Sequence, residues 1–314
     1  MQYNIKTHIF HLLSRGWIHA GCLINYIFWR YEHQAMSPAN VILVCGSGRS
    51  GTTWLGSVVA EIMEAQIIFE PMLLNTDVEF ALRKPFFDRG RIDFNLQLYA
   101  TRDDLASIEK LRGLEELFFG ACNTYWTRQA CNRNKASWRV IKEIRACLAL
   151  EGICNLWPEL KVIYLVRNPI DVIQSQILAS SKGWEFDCDI RQLKYHNPML
   201  WTRLKDFEPF LQSSSSLSDR LALRWCIENW IAHTDAVHFP NVRCVSYSDC
   251  LSMSVVWREI LTWLNIESSS TKAVNLTKRA RTDLPFARRT QLTHFQLHYI
   301  TEVTEAFGLS KYLG

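Results

Sequence analysis

Val41-Ile42-Leu43-Val44-Cys45-Gly46-Ser47-Gly48-Arg49-Ser50-Gly51-Thr52-Thr53-Trp54-Leu55 is the stretch on which the fold turns. Val41–Cys45 is short and continuously apolar, the pattern of a strand buried on both faces of a parallel sheet. Gly46–Gly51 is a polar, glycine-bearing turn. From Thr52 to Glu64 the apolar residues Trp54, Leu55, Val58, Val59 and Ile62 recur at helical spacing. Ala65–Phe69 then reads as a second strand, so the segment predicts a βαβ unit.

The turn between strand and helix predicts an anion site. The first N–H groups of a helix have no intrahelical acceptor, and the helix dipole adds partial positive charge there. Glycines let the backbone turn tightly and approach a ligand without a Cβ in the way. Ser50, Thr52 and Thr53 add hydroxyl donors, and Arg49 adds a fixed charge. Gly46, Gly51 and Thr53 match the nucleoside-triphosphate loop G-x-x-x-x-G-K-[ST]. Thr52, however, stands where the lysine that reaches the terminal phosphates belongs. Phosphate binding survives that change, whereas the usual handling of a magnesium triphosphate does not.

Further along, Trp138–Ile144 predicts a third strand, followed by a helix over about Cys147–Trp157. Lys161–Val166 is the clearest strand, and Pro169 suits the first turn of the helix after it. A helix over Leu217–His238, a strand at Val242–Ser246 and helices near Val255–Leu264 and Leu292–Phe307 complete the pattern. Residues 75–135 read as a variable insertion with a helix at Leu105–Phe119. Residues 181–216 read as irregular and aromatic, ending in a serine loop at Ser213–Ser216. Strands alternating with helices predict one doubly wound α/β domain with a mainly parallel sheet flanked by helices. Arg167 leaves the end of a central strand, where ligands of open α/β sheets bind. Ser175 lies two turns into the next helix, so Arg167 and Ser175 together offer a second phosphate grip.

The bulk numbers bound the partners. The chain has 314 residues, 48% of them hydrophobic and 21% charged, which excludes global disorder. Its 35 basic and 31 acidic residues leave +4, too weak a bias to imply a nucleic-acid partner. None of the ten cysteines forms a C-x-x-C pair, so no zinc or other metal site is expected. They read as reduced, core-packed thiols. Residues 1–36 read as an N-terminal extension carrying a helix over Ile5–His33, ahead of the α/β domain at 37–314. Its apolar stretch Trp17–Trp29 is too short to span a membrane. A soluble, cytoplasmic setting follows, with weak membrane-surface contact through that helix as the lesser alternative. The glycosylation-type triplet Asn275-Leu276-Thr277 carries meaning only in a secreted chain. Oligomeric state is left open.

GSGRSGTTWL at Gly46–Leu55 and YLVRNPIDVIQS at Tyr164–Ser175 resemble the two donor motifs of the sulfotransferase superfamily, whose donor is 3′-phosphoadenosine 5′-phosphosulfate (PAPS). The resemblance implies a P-loop-like fold. It implies that Arg49, Ser50, Gly51, Thr52 and Thr53 hold the 5′-phosphosulfate, and that Arg167 and Ser175 hold the 3′-phosphate. Trp54 would lie near the adenine or pack in the core, and Val242–Leu251 nominates Tyr247 for the adenine. Phe69-Glu70-Pro71 and Lys142-x-x-Arg145 are more similar to the carbohydrate branch. The catalytic His of the cytosolic branch would fall near Ile144 and is missing, and so is the family's R-K-G triplet in the basic stretch Lys278–Arg289.

Transfer to an acceptor hydroxyl or amine needs a base in line with the sulfur and the leaving phosphate. Glu70, past the second strand, and Glu143, at the end of the third, are both candidates, and both also suit structural ion pairs. Lys142 or Arg49 would stabilise charge on the bridging oxygen. The acceptor is a carbohydrate or a small molecule, and Trp184, Phe186, Tyr195, His196 and Trp201 either line its pocket or belong to the core. Two other readings remain open: a P-loop kinase or nucleotidase with a degenerate loop, and a non-catalytic nucleotide-binding protein.

Overall fold

Five strands, β1 Val41–Cys45, β2 Gln66–Phe69, β3 Arg139–Lys142, β4 Lys161–Val166 and β5 Val242–Ser246, form one sheet in the order β2-β3-β1-β4-β5. Every neighbouring pair is parallel. The computed structural model of the chain describes residues 35–72, 99–105, 113–115, 117–120, 136–182, 186, 189–252, 254–267, 275 and 292–313. β1 lies between β3 and β4, with Val44 aligned to Lys142 and Cys45 to Tyr164. The chain runs from β1 toward β2 on one side and toward β4 on the other. The crevice at the C-terminal ends of β1 and β4 is therefore the switch point where ligands of such sheets bind.

Strand alternation sends side chains to both faces, and both are covered. Ile42, Val44, Val140, Ile163 and Leu165 pack against Leu55 and Val59 of α1 (Thr52–Met63), together with Trp257 and Ile260. On the opposite face Leu43, Cys45, Ile141, Val162 and Tyr164 meet Ile153 of α2 (Leu150–Leu156) and Val172 and Ile173 of α3 (Pro169–Ser180). Leu221 and Ile227 of α4 (Leu217–Asp235) join that second core. So do Ile300 and Val303 of the final long helix, His294–Ala306. All five residues of β1 are fully buried, as its unbroken apolar run predicts.

Local chemistry sets the helix ends. Asn168 caps α3, its Oδ1 accepting from Ile170 N at 2.9 Å, with Pro169 at the first helical position. Ser216 and Asp219 form a reciprocal capping box at the start of α4. The expected serine loop thus ends as a helix cap. Residues 190–213, expected to be irregular, instead break into short helical pieces, two of them opened by Pro198 and Pro209. β3 is shorter than expected, and the helix after it starts at Leu150 because residues 144–149 form turns.

The expected helix at Ile5–His33, with its membrane-surface contact, lies outside the described residues, as do Trp184, Leu276 and Thr277 of the glycosylation-type triplet, and Lys278–Arg289. Met36, on the far side of the expected domain boundary, donates its N–H to Phe119 O at 2.8 Å. Cys45, Cys147, Cys154, Cys226 and Cys250 are free and buried, and Cys244 is free and half-buried. Among the described residues no helix is long and apolar enough to cross a membrane, and no cluster of His, Cys, Asp and Glu is arranged to hold a metal.

Gly46 is the tightest point of this architecture. A Cβ there would stand 2.3 Å from the Leu165 carbonyl oxygen, which is backbone and has no room to yield. Gly46→Ala is expected to lower stability by about 2 kcal/mol. Thermal or urea denaturation checks it, and an unshifted transition would contradict the packing described.

Candidate active site

The loop between β1 and α1 wraps the switch point. Arg49 has a left-handed backbone (φ 74°), and Gly51, the residue before α1, has φ 100°. A Cβ on Gly51 would lie 2.6 Å from the Tyr247 ring, so glycine is required there both by conformation and by contact. Gly51 offers no side-chain acceptor to α1, so it does not cap the N–H groups of Thr52 and Thr53 at the start of the helix. Ser47, Ser50 and Thr52 are buried, while Thr53 is exposed. Ser50 Oγ is buried and has no hydrogen-bond partner, a state that costs about 1–3 kcal/mol unless something accepts or donates there.

The second motif closes on the first. Arg49 Nε donates to Ser175 Oγ at 3.1 Å. Desolvation, and then the positive charge of Arg167, lower the pKa of Arg49, so two guanidinium groups share one region. Arg167 bonds weakly to Asp171 at 3.4 Å, and its Nε is buried without a partner. Its guanidinium carbon sits 4.5 Å above the Tyr247 ring centre. Trp54 meets the same tyrosine edge-on at 5.4 Å and Trp257 at 6.1 Å. Burial raises the pKa of Tyr247 and keeps it neutral. Arg49, Ser50, Gly51, Thr52, Trp54, Arg167, Ser175 and Tyr247 therefore gather around β1, β4 and β5. Trp54 is half-buried and packs against the core on that face.

Glu70, Lys142 and Glu143 form a separate group at the same edge of the sheet. Lys142 ends β3 beside Val44, and its Cβ lies near Gly56, one turn into α1. Lys142 Nζ donates to Glu70 Oε1, and Arg145 Nη1 donates to Glu70 Oε2 at 2.8 Å. Glu70 sits in the left-handed region at φ 39°. Its burial works to raise the carboxyl pKa, but Lys142 and Arg145 outweigh that and hold it below the ordinary value. Glu143 is fully buried. Its Oε2 accepts Met72 N–H at 2.7 Å and its Oε1 accepts Arg145 N–H at 2.9 Å. Burial raises its pKa. Glu143 thus fastens the turn after β2 to the turn after β3.

In the sequence Arg145 stands out only as part of Lys142-x-x-Arg145, and its contact with Glu70 spans 75 positions. Phe186 closes over the loop: a Cβ on Gly48 would meet its ring at 3.0 Å and Ile144 at 3.4 Å. Arg224 Nη1 donates to the Phe186 carbonyl at 2.6 Å from within a buried pair with Glu228. Tyr195 is strongly exposed, Trp201 half-buried and Phe186 buried, so these three form no single wall; Trp184 and the His196 side chain lie outside what is described.

A family model described as "Sulfotransferase family" matches residues 41–217, more than half of the chain. No curated protein matches the sequence. Among solved structures, a mouse sulfotransferase complexed with PAP is similar over 89% of this chain and 88% of its own, at 16% identity and a TM-score of 0.43. A sulfotransferase from Mycobacterium tuberculosis is similar over 92% and 81%, at 13% identity and 0.42. One from Alicyclobacillus acidocaldarius is similar over 87% and 95%, at 14% identity and 0.41.

The Glu70 cluster makes stability depend on pH in a defined direction. A carboxyl whose folded pKa is lowered contributes stability above its unfolded pKa, 4.5, and loses it as pH falls through the folded value. Lys142→Met leaves a buried carboxylate half-compensated and is expected to cost about 3 kcal/mol at neutral pH. The deficit should shrink below pH 4.5, where protonation relieves Glu70. Urea denaturation of both proteins between about pH 3 and about pH 7 checks it. A deficit independent of pH would contradict the charge pairing.

Proposed function

The chain belongs to the sulfotransferase family, and we propose that it moves a sulfuryl group from PAPS to a hydroxyl or amine of a carbohydrate or small-molecule acceptor. The observation that carries this reading is the bond from Arg49 to Ser175, which joins two motifs 126 positions apart into one site. A ligand with one anionic group suits the loop alone. A ligand with anions at both ends suits the loop and the Arg167–Ser175 arm together.

The residues fit such a donor. Arg49, Ser50, Gly51, Thr52 and Thr53 would hold the 5′-phosphosulfate, its oxygens meeting the unpartnered Ser50 hydroxyl and the first-turn N–H groups. Arg167 and Ser175 would hold the 3′-phosphate, and an anion there would offset the two neighbouring guanidinium charges. Tyr247 and Trp54 offer aromatic surface for the adenine. A sulfuryl group carries less charge than a terminal phosphate, so a loop with Thr52 in the lysine position suits it better than a triphosphate.

In the reaction, the acceptor oxygen or nitrogen bonds to sulfur while the bond from sulfur to the 5′-phosphate oxygen breaks. The acceptor's proton passes to Glu70, and the leaving phosphate keeps the electron pair. Glu70, held below its usual pKa, is ionised at neutral pH and is a weak base. It takes the proton once the forming bond to sulfur has made the acceptor acidic. Glu143 suits the role less, because both of its oxygens already accept backbone N–H groups. Lys142 and Arg49 supply positive charge toward the bridging oxygen and the transferring group.

Calorimetry should find 3′-phosphoadenosine 5′-phosphate bound without magnesium and more tightly than magnesium ATP. Equal or preferred binding of magnesium ATP would end the proposal. Arg49→Ala and Ser175→Ala should each weaken binding about tenfold. Once an acceptor is in hand from a panel of sugars, phenols and amines, Glu70→Gln should slow turnover about 100-fold with donor affinity retained. Full turnover in that variant would transfer the base to Glu143.

A further inference from the structure

We propose that Gln176 and Asn229 are positioning residues that shape the Gly46–Gly51 loop for the anion it binds. The proposal rests on the donor reading above. Both side chains are almost wholly buried, at 1% and 0% exposure, and they come from different helices, α3 and α4. Gln176 Nε2 donates to the Gly48 carbonyl at 2.8 Å across 128 positions. Asn229 Nδ2 donates to Ser47 Oγ at 3.0 Å across 182 positions and also to Trp225 O at 2.7 Å. Two consecutive loop residues are thus held from outside by two carboxamides.

The peptide geometry gives these bonds their consequence. In a planar trans peptide the carbonyl and the following N–H point in opposite directions. Fixing the Gly48 carbonyl on Gln176 turns the Arg49 N–H away from the Gln176 amide. A freely rotating peptide would present its carbonyl oxygen on that side part of the time and repel an anion. Arg49 at φ 74° and Gly51 at φ 100° stand on either side of Ser50, and left-handed residues spaced in this way let successive N–H groups face one anion-binding concavity. Asn229 fixes the start of the same loop and is itself fixed, since its Oδ1 accepts from Tyr164 OH at 3.1 Å on β4.

Gln176 is retained at a cost, because its Oε1 is buried without a partner. An apolar side chain would fill that position without the penalty, so the amide donor is what the position uses. Gln176 also follows Ser175 directly, so α3 meets the loop at the Gly48 carbonyl and at the Arg49 side chain. One helix therefore aligns both ends of the anion site.

The test compares two ligands by calorimetry: 3′-phosphoadenosine 5′-phosphate, which reaches the loop, and adenosine 3′-phosphate, which lacks the group the loop holds. Gln176→Met and Asn229→Leu should each weaken the first about tenfold and change the second by less than about twofold. Ser47→Ala removes the loop end of the Asn229 bond with less disturbance to the core and should act like Asn229→Leu. It keeps the test available if Asn229→Leu fails to fold, which thermal melting would reveal. Undiminished affinity for the bisphosphate, or equal weakening of both ligands, would overturn the proposal. Unaltered protein that binds neither ligand would instead overturn the donor reading, a result that needs no variant.

Discussion

Arg49 and Arg167 put two positive charges into one crevice, and the rest of the site is arranged around that repulsion. Like charges brought together under partial desolvation oppose folding unless an anion or a hydrogen-bond network offsets them. Ser175 receives Arg49, while the Tyr247 ring and Asp171 receive Arg167. The sheet supplies the rigidity: β1 and β4 are adjacent, parallel and buried, so the two arms leave from neighbouring strand ends. Gly46 lets the loop leave β1 in contact with the Leu165 carbonyl, close to where Arg167 leaves β4.

The carboxylates beside this crevice are divided by their surroundings. Glu70 and Glu143 are both buried, yet their pKa values move in opposite directions. Glu70 has two cations on its oxygens, whereas Glu143 has mainly backbone N–H groups and full burial. The first arrangement keeps a charged group at the edge of a site, and the second fixes a turn. A positively charged crevice with an ionised carboxylate beside it suits the group transfer proposed above.

Much of this is legible in the sequence because the signals are local. An unbroken apolar run gives away β1, the glycines and Thr52 characterise the loop, and Arg167-Asn168-Pro169 marks the end of β4. Residues whose meaning depends on distant partners stay silent. Gln176 and Asn229 look like ordinary helix residues until contacts across 128 and 182 positions are known. Arg145 is visible as a spacing, but its grip on Glu70 is not. The pieces at Pro198–Arg203 and Glu208–Ser213 escape notice because six residues are too few to show a helical period. The partners that set Glu70 and Glu143 apart are likewise beyond composition, since both carboxylates stand at strand ends.

In the donor complex one ligand reaches both arms of the site. A crystal structure of the protein with 3′-phosphoadenosine 5′-phosphate tests this most directly. Density is expected for the 5′-phosphate against Ser50 and the first-turn N–H groups of α1, and for the 3′-phosphate against Arg167 and Ser175. Density for a phosphate at only one arm, or for the nucleotide elsewhere on the protein, would contradict it.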